Sequence, residues 1–154
     1  MAENILVSAC LLGVRCRYDG SGYLDENLER AVKGGKVNLI PVCPEILGGL
    51  MTPRTPCEKQ GERVMAKDGR DCTSEFEKGA QEVLRLAKLY GCRMAVLKER
   101  SPSCGYGEIY DGSFSGLLTE GSGTTAELLV RNGIRVVGES RTEEILKLCQ
   151  CYVL

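Results

Sequence analysis

Apolar residues fall into two patterns along the chain. Four short runs are nearly continuous: Ile5-Leu6-Val7-Ser8-Ala9, Val37-Asn38-Leu39-Ile40-Pro41-Val42, Met94-Ala95-Val96-Leu97 and Ile134-Arg135-Val136-Val137. Runs this short, mostly without strict alternation, read as strands of a parallel sheet covered on both faces. Between and after them, apolar positions recur at helical spacing. Leu24, Leu28, Ala31 and Val32 share a face that stops at Gly34-Gly35. Phe76, Ala80, Val83, Leu84, Ala87 and Tyr90 form a longer stripe that stops at Gly91, with Ser74 and Glu77 spaced as a capping box at its start. Thr124 with Glu127 opens a third helix ending near Asn132-Gly133, and Ser140 with Glu143 opens a last one running to about Gln150. The alternation predicts an α/β fold with right-handed crossovers: a Rossmann-like three-layer sandwich around a central, mainly parallel sheet. A single domain over residues 1–154 is expected.

Two stretches interrupt this rhythm. Residues 48–73 contain Pro53, Pro56 and a turn at Asp68-Gly69, and the flanking Val64-Met65-Ala66 and Asp71-Cys72-Thr73 predict a hairpin. Residues 101–123 are rich in Gly and Ser and read as a long ordered loop, which inside a compact domain is usually functional. Tyr-Asp-Gly occurs at 18–20 and again at 110–112, too short a match to count as a repeat.

Composition narrows the chemistry. The 154 residues are 43% hydrophobic, enough for one core and too many for disorder. No apolar run approaches the ~18 residues of a membrane span. Twenty Lys and Arg against 21 Asp and Glu leave a net charge of −1, so no stable nucleic-acid complex is expected. Met1-Ala2-Glu3-Asn4 lacks the basic region of a secretory signal, which predicts a cytoplasmic protein. Nine Cys, an odd number, argue against a disulfide framework, and the absence of His excludes every mechanism built on imidazole.

A cysteine follows three of the four strands: Cys10 before Leu11-Leu12-Gly13, Cys43 before Pro44-Glu45, and Cys104 within Ser101-Pro102-Ser103-Cys104-Gly105. Ligands of open parallel sheets bind beyond the carboxyl ends of the strands, so parallel strands would bring these three thiols to one edge. Cys72 and Cys92 read as core filling, Cys149 and Cys151 as a fraying helix end, and Cys57 is undecided. Converging thiolates select zinc, copper(I) or an iron–sulfur cluster. Zinc would want a fourth ligand such as Cys16; a [4Fe–4S] cluster on three cysteines keeps one iron open as a Lewis acid. Spacing does not choose between them. A structural metal-binding protein and a cluster-dependent hydro-lyase therefore stand as alternatives. Glu120-Gly121-Ser122-Gly123-Thr124-Thr125, ahead of a helix, offers amides to a phosphate.

Taken in order, Ser8-Ala9-Cys10-Leu11-Leu12-Gly13, Cys16-Arg17-Tyr18-Asp19-Gly20, Cys43-Pro44-Glu45, Gly48-Gly49-Leu50, Thr52-Pro53-Arg54, Ser101 to Gly105, Ile109-Tyr110-Asp111-Gly112 and Phe114-Ser115-Gly116 resemble the thiouracil desulfidase family over essentially the whole chain. The resemblance implies a [4Fe–4S] cluster on Cys10, Cys43 and Cys104, with one iron not bound by protein. It also implies hydrolytic, non-redox removal of sulfur from a thiolated uracil, with Glu45 and Ser101 as the catalytic carboxylate and hydroxyl. Cys16 lies in a motif too and is available as a ligand. Longer relatives with an added domain act on thiolated tRNA, so a small thiolated pyrimidine base or nucleotide is the expected substrate here. Glu45, two residues from a ligand, is the candidate general base; its plainer role is as a partner for Arg54.

Overall fold

A computed structural model describes the backbone of residues 2–150 and the side chains of residues 2–148. The strands β1 (Glu3–Ser8), β2 (Val37–Val42), β5 (Met94–Leu97) and β8 (Arg135–Gly138) pair in parallel in the order β2-β1-β5-β8. Successive side chains point to opposite faces, so each inner strand feeds two cores. Ile5, Val7, Met94, Val96 and Val137 pack with Leu28 of α1 (Glu26–Lys33) and Ile145 of α5 (Glu143–Gln150). Leu6, Ala95, Leu97 and Val136 pack on the other face with Val83 and Ala87 of α3 (Thr73–Leu89) and Leu129 of α4 (Thr124–Arg131). The result is the three-layer α/β sandwich that the pattern predicts. The edge strand β2 departs from full burial: Asn38 and Pro41 face solvent.

Helix boundaries follow backbone chemistry that sequence spacing misses. Asp25 caps α1 by accepting from the Leu28 amide at 3.0 Å, while Leu24 and Val32, assigned to its buried face, are exposed. Leu24 instead bridges Leu12. The Ser74–Glu77 capping box does not form. Asp71 accepts from the Thr73 amide at 2.9 Å, and the Thr73 hydroxyl accepts from Val64. The carboxyl of Asp71 is held below the usual range by the Thr73 hydroxyl and amide. Tyr90, the last residue of the predicted stripe, is exposed. Ser140 lies in a single 3-10 turn before α5, and Thr142 links α5 to α1 through Asp25 and Asn27.

The interrupting stretches contain more structure than the sequence predicts. The main hairpin joins β3 (Cys57–Gln60) to β4 (Arg63–Ala66). The predicted Asp68-Gly69 turn is present, but it adds only a Met65–Asp71 bridge on the far side of β4. The 101–123 stretch contains an antiparallel pair, β6 (Glu108–Tyr110) and β7 (Leu118–Glu120). The short helix α2 (Pro44–Leu47) was not predicted; four residues carry no periodicity to read. It lies against α3 at a backbone-to-backbone contact: a Cβ at Gly79 would stand 1.9 Å from the Pro44 carbonyl oxygen, and one at Gly48 would stand 2.0 Å from that of Glu75. Only glycine fits at either position. No helix among the described residues is long and apolar enough to cross a membrane. The Cys149 and Cys151 side chains lie outside the described residues.

Candidate active site

The chain runs from β1 to β2 on one side and later returns to β5 on the other, so the topology switches between β1 and β5. Sheets of this kind bind their ligands at that crevice, beyond the strand ends. A cavity of about 470 Å³ opens there. Cys10, Cys43, Cys104, Glu45 and Ser101 all line it, as do Cys16 and Ser103. Cys10 sits in a 3-10 turn directly after β1, Cys43 between β2 and α2, and Cys104 in the turn after β5. All seven cysteines with described side chains are free thiols.

The thiols interact. The Cys16 thiol lies beside those of Cys10 and Cys43, and the Cys43 Sγ donates to the Cys16 carbonyl at 3.7 Å. The contact with Cys16, reinforced by burial, pushes the Cys43 thiol far up. Burial pushes Cys104 up to about 12, against the Ser8 and Ser103 hydroxyls, which favour its thiolate. Cys16 is raised as well, chiefly by Cys10. Burial and mutual contact thus favour the neutral thiol at Cys16, Cys43 and Cys104. Among the described residues, no three Cys, Asp or Glu side chains close around a point as a single metal ion requires.

Glu45 is held from two sides. Its Oε1 accepts from Arg54 Nε at 3.0 Å and its Oε2 from the Ser103 hydroxyl at 2.9 Å. Arg54 donates also to the carbonyls of Cys16 (2.8 Å) and Met51 (3.1 Å) and to the Thr52 hydroxyl (3.0 Å). The Arg54 partnership that the sequence offers as the plain role of Glu45 is thus present, and the carboxylate still faces the cavity. Ser101 Oγ lies 2.9 Å from Ser103 Oγ and accepts from the amides of Ser103 (3.2 Å) and Cys104 (3.1 Å). The sequence reading missed Ser103, although it stands in the same motif; serine shows no signal until its neighbours are placed.

The mouth of the cavity is aromatic. Asp19 accepts from the Ser21 amide and Asp111 from the Ser113 amide, so the two Tyr-Asp-Gly copies are the same Asx turn used twice. Each places a tyrosine, Tyr18 or Tyr110, on the lining. Phe114 joins them with φ of 56°, one of two non-glycine residues in the left-handed region among the described residues; Arg100 is the other, and both line the cavity. Glu58 holds this turn by accepting from the amides of Gly112 (3.0 Å) and Phe114 (3.1 Å). The proposed phosphate site at 120–125 is not available. The Thr124, Thr125 and Ala126 amides already donate to the carbonyls of Pro102 and Ser103.

Fold and site together define an α/β protein with a thiol-lined cavity at the switch point of a parallel sheet, carrying a carboxylate and hydroxyls beside the sulfurs. The chain belongs to the 2-thiouracil desulfurase family, whose model matches residues 5–141. It is similar to the uncharacterized protein YbbK of Bacillus subtilis (strain 168), with 41% identity over 92% of this chain and 99% of that protein. Its fold matches the solved structure of the [4Fe–4S]-dependent thiouracil desulfidase TudS, with a TM-score of 0.88 and 44% identity over 97% of this chain and 99% of that one.

Proposed function

We propose that this chain is a [4Fe–4S]-dependent desulfidase that hydrolyses the C=S bond of a thiolated uracil, as base or nucleotide, and releases sulfide. One observation carries the reading: three strand ends deliver Cys10, Cys43 and Cys104 to the cavity that Glu45 and Ser101 also line. The donor set fits such a cluster. It consists of soft, free thiols, buried at Cys10 and Cys104 and half-buried at Cys43, which line one cavity and bind a soft metal group as thiolates. Cys10, Cys43 and Cys104 would hold the cluster, which would supply an iron without a protein ligand as Lewis acid for the soft C=S sulfur.

The remaining work falls to the chain's own side chains. Glu45, aimed by Arg54 and Ser103, takes a proton from the attacking water. Ser101, held by two amides, offers its hydroxyl to the substrate. Tyr18, Tyr110 and Phe114 provide apolar faces for a planar ring. Free thiols among the described residues are in keeping with work in the cytoplasm, and one central sheet with helices on both faces is in keeping with a single domain over residues 1–154. A purely structural metal protein has no use for the hydroxyl–carboxylate chain, and the family finding does not favour a hydro-lyase.

The test is an anaerobic assay of the iron-loaded protein against thiolated uracil, its nucleoside and its nucleotide. Iron-dependent sulfide release with formation of the oxo-pyrimidine is expected. Iron-loaded protein that releases no sulfide from any of the three would overturn the reading.

A further inference from the structure

Ser103 is 1% exposed and its backbone is locked. Its carbonyl accepts from the amides of Thr125 (2.9 Å) and Ala126 (3.1 Å), at the start of α4. That contact needs Gly123, where a Cβ would lie 2.4 Å from the Ser103 carbonyl carbon. So anchored, its hydroxyl stands between Glu45 Oε2 and Ser101 Oγ, 2.9 Å from each.

A hydroxyl has one proton to donate, and a carboxylate only accepts. The Ser103 proton therefore goes to Glu45, a charge-assisted bond, rather than to the Cys104 sulfur at 3.7 Å. The contact with Ser101 must then use the proton of Ser101. While Glu45 is ionised, Ser101 has no proton left for a substrate: it donates to Ser103 and accepts from two amides. When Glu45 gains a proton, the direction of the chain reverses. Glu45 then donates to Ser103, Ser103 donates to Ser101 in exchange for one of the two amide bonds, and the Ser101 proton is free to turn into the cavity.

We propose that Ser103 is the positioning residue that couples Glu45 to Ser101, so that the proton taken from water is returned to the sulfur side of the substrate. The inference rests on the desulfidase reading and on the roles given there to Glu45 and Ser101. Protons and bonds balance. Water loses one proton to Glu45 as its oxygen bonds the ring carbon. That proton shifts through Ser103, and Ser101 passes its own to sulfur. The C–S bond breaks as the C=O bond forms, and the remaining hydroxyl proton goes to Glu45 and then to solvent. The products are the oxo-pyrimidine, hydrosulfide and one proton; no electrons are exchanged.

The test uses the anaerobic, iron-loaded Ser103→Ala, Ser101→Ala and double variants, with iron per chain, kcat, KM and thermal midpoint measured for each. In Ser103→Ala, iron content and KM should hold while kcat falls by roughly 10- to 100-fold, part of a general acid–base contribution. The double variant should be no slower than the slower single one, since either change breaks the same chain. Ser103→Thr, which keeps the hydroxyl, should recover most of the rate. Multiplying losses in the double variant, or near-wild-type kcat in Ser103→Ala, would overturn the proposal. The midpoints give a reading that needs no turnover. Losses smaller in the double variant than the sum of the singles support the coupling, and strictly additive losses overturn it. A wild type that releases no sulfide would remove the desulfidase reading, while the midpoints would still decide whether Ser103 couples the two groups.

Discussion

Glu45 and Arg54 are mostly withdrawn from water, with side-chain exposures of 14% and 6%. Each is nonetheless hydrogen-bonded, Glu45 through both oxygens and Arg54 through all three nitrogens, the condition under which a buried ion pair is tolerable. This arrangement separates two predictions. Glu45→Gln keeps size and partners but loses the base, so iron content should hold while turnover per cluster drops at least about a hundredfold. Near-wild-type turnover in this variant would reduce Glu45 to the partner of Arg54. Ser101→Ala should lose less, because water can replace a hydroxyl. A second residue-scale prediction concerns Cys57, which packs with Cys72, Val64 and Phe76. Burial, with the Cys72 thiol beside it, pushes Cys57 up to about 12. The fold favours the neutral thiol, so its contribution is complete below the ordinary value of 9.0 and is lost as pH rises through about 12. The thermal midpoint of chelator-stripped protein should therefore fall between those pH values, and fall less in Cys57→Ala. Parallel curves for the two proteins would contradict the assignment.

At the scale of elements, the position of Glu45 depends on α2, a helix of four residues that could not form alone. It is fixed by its contact with α3 at Gly48 and Gly79. Gly79→Ala should push α2 away from α3. Overpacking of this kind costs about 1–3 kcal/mol, so the thermal midpoint should fall by at least about 3 °C. Turnover should fall further than stability alone explains, because the displaced helix carries Glu45 and adjoins Cys43. Equal midpoints and rates in wild type and variant would show that the close approach is dispensable. The helix–loop contact at Gly123 plays the same part for Ser101 to Cys104.

At the scale of the molecule, the three thiols come from segments more than thirty residues apart, so only the folded sheet assembles them. Replacing Cys10, Cys43 or Cys104 singly with Ser should abolish cluster binding, whereas Cys92→Ser, deep in the α3–α4 core, should not. Iron and sulfide content of anaerobically prepared variants checks this, and full occupancy in all three ligand variants would refute the assignment. A group bound by the folded state alone also stabilises it. The iron-loaded protein should therefore melt above its stripped form, and exposure to air should bleach the cluster and remove that difference together with activity.

Much of this was legible in the amino-acid sequence. Four short apolar runs between helical stripes read as strands of a parallel sheet, and a thiol that follows such a strand is carried to its carboxyl end. Ser101, Cys104, Cys43 and Glu45 stand in short motifs whose local geometry is fixed by neighbouring Pro and Gly. Other features needed the folded chain. The capping box at Ser74 and the phosphate site at the Gly-rich turn before α4 fail because the amides there are satisfied by Asp71 and by carbonyls of a distant loop. Helix α2 and the β6–β7 pair are too short for a periodic signal. Ser103 acquires a role only when Glu45, 58 residues away, is brought within hydrogen-bonding distance. Local preference and apolar period are properties of neighbouring residues and can be read along the chain. Hydrogen-bond partners across long separations are chosen by packing, and only the tertiary structure determines them.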